Sequence, residues 1–286
     1  MKSILYSMIA ILFFGIIAMG FENKPQTRTI LVQSTDRNVS ELTLSQSADI
    51  ITRRLQTFSM EKFEMKIISG KNQIRVVLSG KQDRKVAESL ITQKGALEFY
   101  EAYNYHDLIQ LLKGDSTLLK YLDKGKHYES SPNIGCISSA TEMKSVVQYL
   151  NSLKLGDKCK FAWSNLFGDT DVCLYALRME EENRIPLTGS DIQNFEVKHD
   201  AERQKDNILF KFKTPAIQVW ADVTKRNLDK AIAIVMDNNV LYAPVVHGEI
   251  NGGNCEISGD FTHAQVQYIT AIVSGGELPA SFTVVK

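Results

Sequence analysis

GGNCEISGDFTHAQVQYITAIVSGGELPASFTVVK (residues 252–286) closes the chain and decides how the rest is read. Gly252-Gly253 make a turn and CEIS a short strand. After Gly259, Phe261-Thr262 opens a helix with Val266, Ile269 and Val273 on its inner face. That helix stops at Gly275-Gly276, glycine being the residue type that most often ends a helix. SFTVVK is then one more strand. A strand placed last, after a helix and a tight turn, needs partners laid down earlier in the chain.

Working outward, the N-terminal third supplies them. TRTILVQS (27–34) is a strand, and LSQSADIITRRLQTF (44–58) puts Leu44, Ala48, Ile51, Leu55 and Phe58 on one helical stripe. EMKIISG and QIRVVLS are strands joined by a Gly70-Lys71-Asn72 turn, and DRKVAESLITQ is a short capped helix. ALEFYEA alternates as a strand again. The order β-α-β-β-α-β is the ferredoxin-like arrangement. Between Tyr103 and Arg184 the pattern blurs into two helical pieces, DLIQLLKG and TEMKSVVQYLNSL, a loop, and strands within GDKCKFAWSNLFGDTDVCLYALRM joined at Gly168-Asp169. Order returns with NFEVKHD and NILFKFK as strands and TPAIQVWADVTKRNLDK as a helix entered through proline, with Ile217, Trp220, Thr224 and Leu228 along it. AIAIVMD and VLYAPVV then flank an Asn238-Asn239 hairpin. The expected fold class is α+β.

Ser3 to Phe21 (SILYSMIAILFFGIIAMGF) is uncharged and almost wholly apolar, long enough to cross a bilayer, with Ile4, Leu5, Ile9, Ile11, Leu12, Phe13, Phe14, Ile16 and Ile17 as its anchoring residues. The segment, residues 1–21 with its flank, reads as a transmembrane anchor. The alternative is a signal peptide cut before Phe21, with Ala18 and Gly20 as the small residues. Either way, residues 22–286 are expected to be exported.

With 23% charged residues, 44% hydrophobic residues and a formal net charge of zero, the chain has no basic footprint for nucleic acid. No phosphate-binding loop, nucleophile elbow or His-Glu-x-x-His motif is present, so no catalytic site, cofactor or metal is expected. Asp169 and Asp171 lie too far from further ligands to make a metal site. Cys136, Cys159, Cys173 and Cys255 contain no Cys-x-x-Cys pair. In an oxidising compartment a disulfide is expected among the first three, leaving one free or paired with Cys255. The competing reading is four buried small hydrophobes.

LTGSDI (187–192), NLDKAIAIVMDNNVLYAPVV (227–246), GGNCEISGDFTHAQ (252–265) and SGGELPA (274–280) resemble the first periplasmic domain of SecD and fused SecDF, membrane subunits of the bacterial protein-export machine. ITRRLQTF, QIRVVLSG and KGALEFYE (94–101) resemble the N-terminal part of the same domain. Gly189, Gly252, Gly253, Gly259, Gly275 and Gly276 are the turn residues of these motifs. The resemblance implies a membrane-proximal base at 28–102, rejoined by the final strand at 278–286, and an inserted α+β head at 103–275. In the family, the head is proposed to hold a translocating polypeptide and to swing on the base, driven by proton flow through a membrane bundle.

Two departures stand out. ENKPQTRTILVQS replaces the family's Leu-Gly-Leu-Asp-Leu-Arg-Gly-Gly-like stretch, and the sequence stops where family members continue into further membrane helices. The expectation is therefore a single-pass inner-membrane protein, or a secreted one if cleaved, with a periplasmic ectodomain and no proton-driven motor of its own. It would bind unfolded or translocating polypeptide as an accessory to translocation, with the Sec translocon or a separate SecD/SecF membrane subunit as partner. The alternative is a structural or regulatory envelope protein that binds one folded partner. An exported enzyme comes third, because no site is visible.

Overall fold

The computed structural model describes residues 27–60, 62–81, 83–122, 132–137, 140–153, 155, 158–167, 172–179 and 186–285. The expected anchor, residues 1–21, and the Gly168-Asp169 turn lie outside them. Among the described residues no helix is long and apolar enough to cross a membrane.

The first elements are β1 (Thr27–Ser34), α1 (Glu41–Thr57), β2 (Phe63–Ile68), β3 (Gln73–Ser79), α2 (Arg84–Thr92) and β4 (Leu97–Tyr103). Then come α3 (Tyr105–Leu111), β5 (Gly135–Ile137), α4 (Ala140–Ser152), β6 (Cys159–Trp163), β7 (Val172–Arg178) and β8 (Leu187–Thr188). The last are β9 (Ile192–Asp200), β10 (Lys205–Phe212), α5 (Thr214–Arg226), β11 (Ile232–Met236), β12 (Asn239–Tyr242), β13 (Asn254–Ile257), α6 (His263–Gly275) and β14 (Phe282–Val284).

The first sheet has the order β14-β1-β3-β2, antiparallel throughout. Local chemistry sets its parts. Ser40 caps α1 by accepting from the Thr43 amide at 3.0 Å, and Asp83 caps α2 by accepting from the Lys85 amide at 2.8 Å. Gly70 and Asn72 take positive φ in the β2–β3 turn. Ile30, Val32, Ile74, Val76 and Leu78 face Leu44, Ile51, Leu55 and Leu90 in one buried layer. Fully burying an aliphatic side chain of this size contributes about 1.5–3 kcal/mol.

The last strand does pair with β1, through Val32 and Val284, Gln33 and Thr283, and Ser34 and Phe282. The ferredoxin-like expectation fails at one strand. Leu97–Tyr103, read as the fourth strand of the N-terminal unit, is absent from the first sheet; β14 holds the edge beside β1 instead. The reason is side-chain chemistry. Leu97 and Phe99 face one apolar core, while Tyr100 and Ala102 are also buried on the opposite face, so β4 needs cover on both sides. An edge strand of a one-sided sheet cannot provide that.

The other strands form two sheets. One is three-stranded, β13-β10-β9, and the other seven-stranded, β5-β7-β6-β12-β11-β4-β8, with β4 also paired to β7. That extra pairing closes β4, β7, β6, β12 and β11 into a ring. Tyr100, Ala162, Leu177, Ala233, Val235, Val240 and Ala243 form its packed interior. A second apolar cluster lies outside the ring, where Leu108, Leu118, Ile134 and Val146 cover Leu174 and Ala176 of β7.

Cys136 and Cys173, opposite each other on β5 and β7, form a disulfide. Cys159 and Cys255 are free and buried, and burial pushes both thiols up to about 12. The disulfide thus falls among the three expected cysteines, and Cys159 is the one left over. The β11–β12 turn is centred one residue earlier than expected, with Asp237 and Asn238 both at positive φ.

Candidate functional site

The chain passes between the first sheet and the rest of the molecule twice, at residues 93–96 and 276–281. Both passages are held by one side chain. Arg54, on α1, is wholly buried. Its Nη1 donates to the carbonyls of Leu90 at 3.1 Å and Gln93 at 2.5 Å, and its Nη2 to those of Lys94 at 2.8 Å and Gly276 at 2.6 Å. Among the described residues no carboxylate hydrogen-bonds it. The guanidinium sits instead at the C-terminal ends of α2 and α6, where unpaired carbonyls and both helix dipoles favour a cation. Burial pulls its pKa down to about 10, partly offset by Asp237, so it stays charged at any physiological pH. Neighbouring Arg53 donates to the Gly275 carbonyl at 3.0 Å.

From the other side, Asp237 holds the same passage. Its two carboxylate oxygens accept from the amides of Gly95 and Ala96, each at 2.8 Å. The passages also bind each other, because the Leu278 amide donates to the Lys94 carbonyl at 2.8 Å and Lys94 pairs with Glu277 at 3.3 Å. Two glycines make this closeness possible. A Cβ on Gly95, already at φ +77°, would lie 2.4 Å from Arg54 Nη2; one on Gly275 would lie 2.4 Å from Arg54 Cγ and 3.2 Å from the Ile50 carbonyl. ITRRLQTF, KGALEFYE, AIAIVMDNN and SGGELPA, far apart in sequence, thus converge on one joint.

Beside the joint lies a cleft. A cavity of about 400 Å³ is lined by Phe58 of α1, Val86 and Ser89 of α2, Tyr268 of α6, and Leu166 and Phe167 from the connection after β6. Another of about 420 Å³ adjoins it, lined by Phe167, Leu241, Tyr242, Gly259, Phe261 and Gln265. The Tyr268 hydroxyl shares a 2.6 Å hydrogen bond with Ser89 and donates to Gln93, tying α6 to α2 at the edge of the cleft. A third cavity, of about 520 Å³, lies beside β13 and is lined by Leu209, Trp220, Ile234, Val246 and Ile250 among others.

The sequence profile of the SecDF P1 head subdomain matches residues 175–280. Over those residues the chain is similar to the SecDF P1 head subdomain. It is 23% identical to the protein translocase subunit SecD of Calditerrivibrio nitroreducens over 87% of this chain and 41% of that protein. The crystal structure of SecDF in its super-membrane-facing form superposes with a TM-score of 0.56 at 19% identity, over 90% of this chain and 29% of that one. A second structure, of SecDF as a membrane component that enhances protein export, gives 0.53 at 18%, over 91% of this chain and 98% of that one. At these identities the structural likeness is one of fold. The chain spans about two fifths of the length of that SecD relative.

Within residues 175–280 the motif glycines occupy separate places. Gly275 and Gly276 form the joint, with Gly276 at φ +88° capping α6. A Cβ on Gly259 would lie 2.5 Å from the Phe261 ring, so that glycine seats an aromatic in the cleft. Gly189 packs on Leu97 and Gly253, at positive φ, on Ile217; Gly252 lies in the same turn near Asn254. These last three lie away from the cleft. Sequence reading missed Arg54, Asp237, Phe167 and Tyr268. A signal existed for Arg54, since it lies three residues after Ile51 and next to Leu55, on an otherwise apolar stripe.

Proposed function

We propose that this chain is a membrane-tethered, SecD-like ectodomain that binds exported or unfolded polypeptide as an accessory to protein translocation. The observation that carries the reading is the P1 head match, whose residues form one wall of an apolar cleft against α1 and α2. The base comprises the sheet β14-β1-β3-β2 with its helices, a ferredoxin-like layer whose fourth strand returns from the C-terminus. The head is the part between the two passages, and residues 1–21 anchor the assembly in the inner membrane with the ectodomain in the periplasm. A Cys136–Cys173 disulfide suits such an oxidising compartment.

The chemistry fits a chain without fixed sequence. The cleft offers apolar and aromatic walls, and β9 and β13 are the edges of their sheet, open to strand addition. Ordering a flexible chain cancels most of the contact energy, so affinity is on the order of micromolar. The partners are the translocating polypeptide and the Sec translocon or a separate SecD/SecF membrane subunit.

The test is site-specific crosslinking in cells. A photoreactive residue at Lys85, in the cleft wall, should crosslink to a stalled exported reporter chain. Crosslinks to one folded envelope protein, with none to the stalled chain, would overturn the reading.

A further inference from the structure

The two cleft cavities share the side chains of Phe167 and Gln265, so Phe167 lies between them. Its ring meets the Tyr268 ring at 5.9 Å and 78°, and the Phe261 ring at 6.5 Å and 74°, both edge-to-face. Such pairs are directional and worth more than their buried area alone. The walls of this seat are firmly placed. Gly259 leaves room for the Phe261 ring, Tyr268 is tied to Ser89, and the Thr262–Gln265 capping box fixes the start of α6 between them.

Phe167 itself is only half-buried and stands on a connection rather than on a strand or helix. The root of that connection is firm. Ser164 and Cys173 exchange backbone and side-chain hydrogen bonds at 2.9 and 3.0 Å, and Cys173 carries the disulfide. A rigid aromatic seat is thus filled by a side chain on a short arm whose withdrawal would join two cavities into one groove beside the joint.

We propose that this seat, built by Phe261 and Tyr268 with Val86 and Phe58 behind it, is a binding site for an aromatic side chain of an extended polypeptide, and that Phe167 occupies it as an intramolecular stand-in which the polypeptide displaces. The occupant is identified by what already fills the seat, an aromatic ring in edge-to-face contact with two others. This inference rests on the polypeptide-binding reading above and adds its specificity and its self-blocking. An intramolecular competitor lowers apparent affinity by the fraction of time it is bound, so weakening it must strengthen binding.

The test uses the full chain in detergent and fluorescence anisotropy with a short labelled Ser/Gly-rich peptide carrying one Phe, and its twin with Ser in that place. Phe167→Ala should bind the Phe peptide about fivefold tighter than the parent, the factor expected for losing edge-to-face contacts of this kind, and the Ser peptide no tighter. Phe167→Leu, which keeps apolar bulk and hence the fold, should gain about twofold. Adding Phe261→Ala to either variant should erase the gain. If neither Phe167 variant gains while both still bind a denatured secretory protein as the parent does, the seat is plain packing and the inference is overturned. If the parent and the variants bind no unfolded chain at all, the underlying reading falls and the seat with it.

Discussion

Arg54 lies fully inside the protein with no carboxylate among the described residues hydrogen-bonded to it, because four carbonyls at two helix ends surround it. Its side chain is the point where the two passages meet. Replacing it by methionine preserves most of the volume and takes this donor from the carbonyls of Leu90, Gln93 and Gly276, each loss costing about 1 kcal/mol or more, while the Lys94 carbonyl keeps the Leu278 amide. Arg54→Met should therefore lower the unfolding free energy by about 3 kcal/mol or more in urea titrations. A loss below about 0.5 kcal/mol, the size of an ordinary surface change, would show that the joint does not depend on it. The sequence displayed this residue without revealing its role. An arginine on an apolar stripe is equally well explained by a charged head reaching water at the stripe's edge. Only the folded chain brings Leu90, Gln93, Lys94 and Gly276 around it.

At the scale of elements, α6 connects the joint, the cleft and the three-stranded sheet. It lies close on α1 because Gly275 has no side chain, and since that glycine is not at positive φ, the constraint is purely steric. Gly275→Ala should destabilise by about 1–3 kcal/mol, the range for overpacking, and speed amide exchange along α6; unchanged exchange would refute the close-packing account. The other end of α6 is stitched to the β9–β10 hairpin by Asp206, which accepts from His263 at 2.6 Å and His199 at 2.8 Å. These hydrogen bonds, His263 first, hold the Asp206 carboxyl below the usual carboxylate range. A depressed carboxyl contributes stability that is fully present above about pH 4 and is lost as pH falls through its folded value. The urea midpoint should thus fall between pH 5 and pH 3, and fall less in Asp206→Asn; equal falls in both would contradict the assignment. Helices and strands were largely legible beforehand, because capping residues at Asp83 and Thr262 and alternation in β1, β3 and β10 are local signals. Strand partners were not. β4 alternates like a fourth strand of the first sheet, and only its burial on both faces shows that it belongs to the ring. The short strands β5 and β8 gave no periodic signal at all.

For the whole molecule, the closing stretch led to the right neighbour, since β14 pairs with β1 and brings both ends of the described chain into one sheet. The disulfide was legible only as a choice among three cysteines, because the pairing depends on β5 lying beside β7. The cleft was not legible, as its walls come from α1, α2, α6 and the connection after β6, which no linear motif joins. The central claim is that this P1 head and its base hold unfolded exported polypeptide, and it is tested most directly by titrating the full chain in detergent with one labelled secretory protein in its reduced, denatured form and in its folded form. The account predicts saturable binding of the denatured form with a dissociation constant on the order of micromolar, without ATP, and little binding of the folded form. No binding of the denatured form, or equal binding of both, would contradict it.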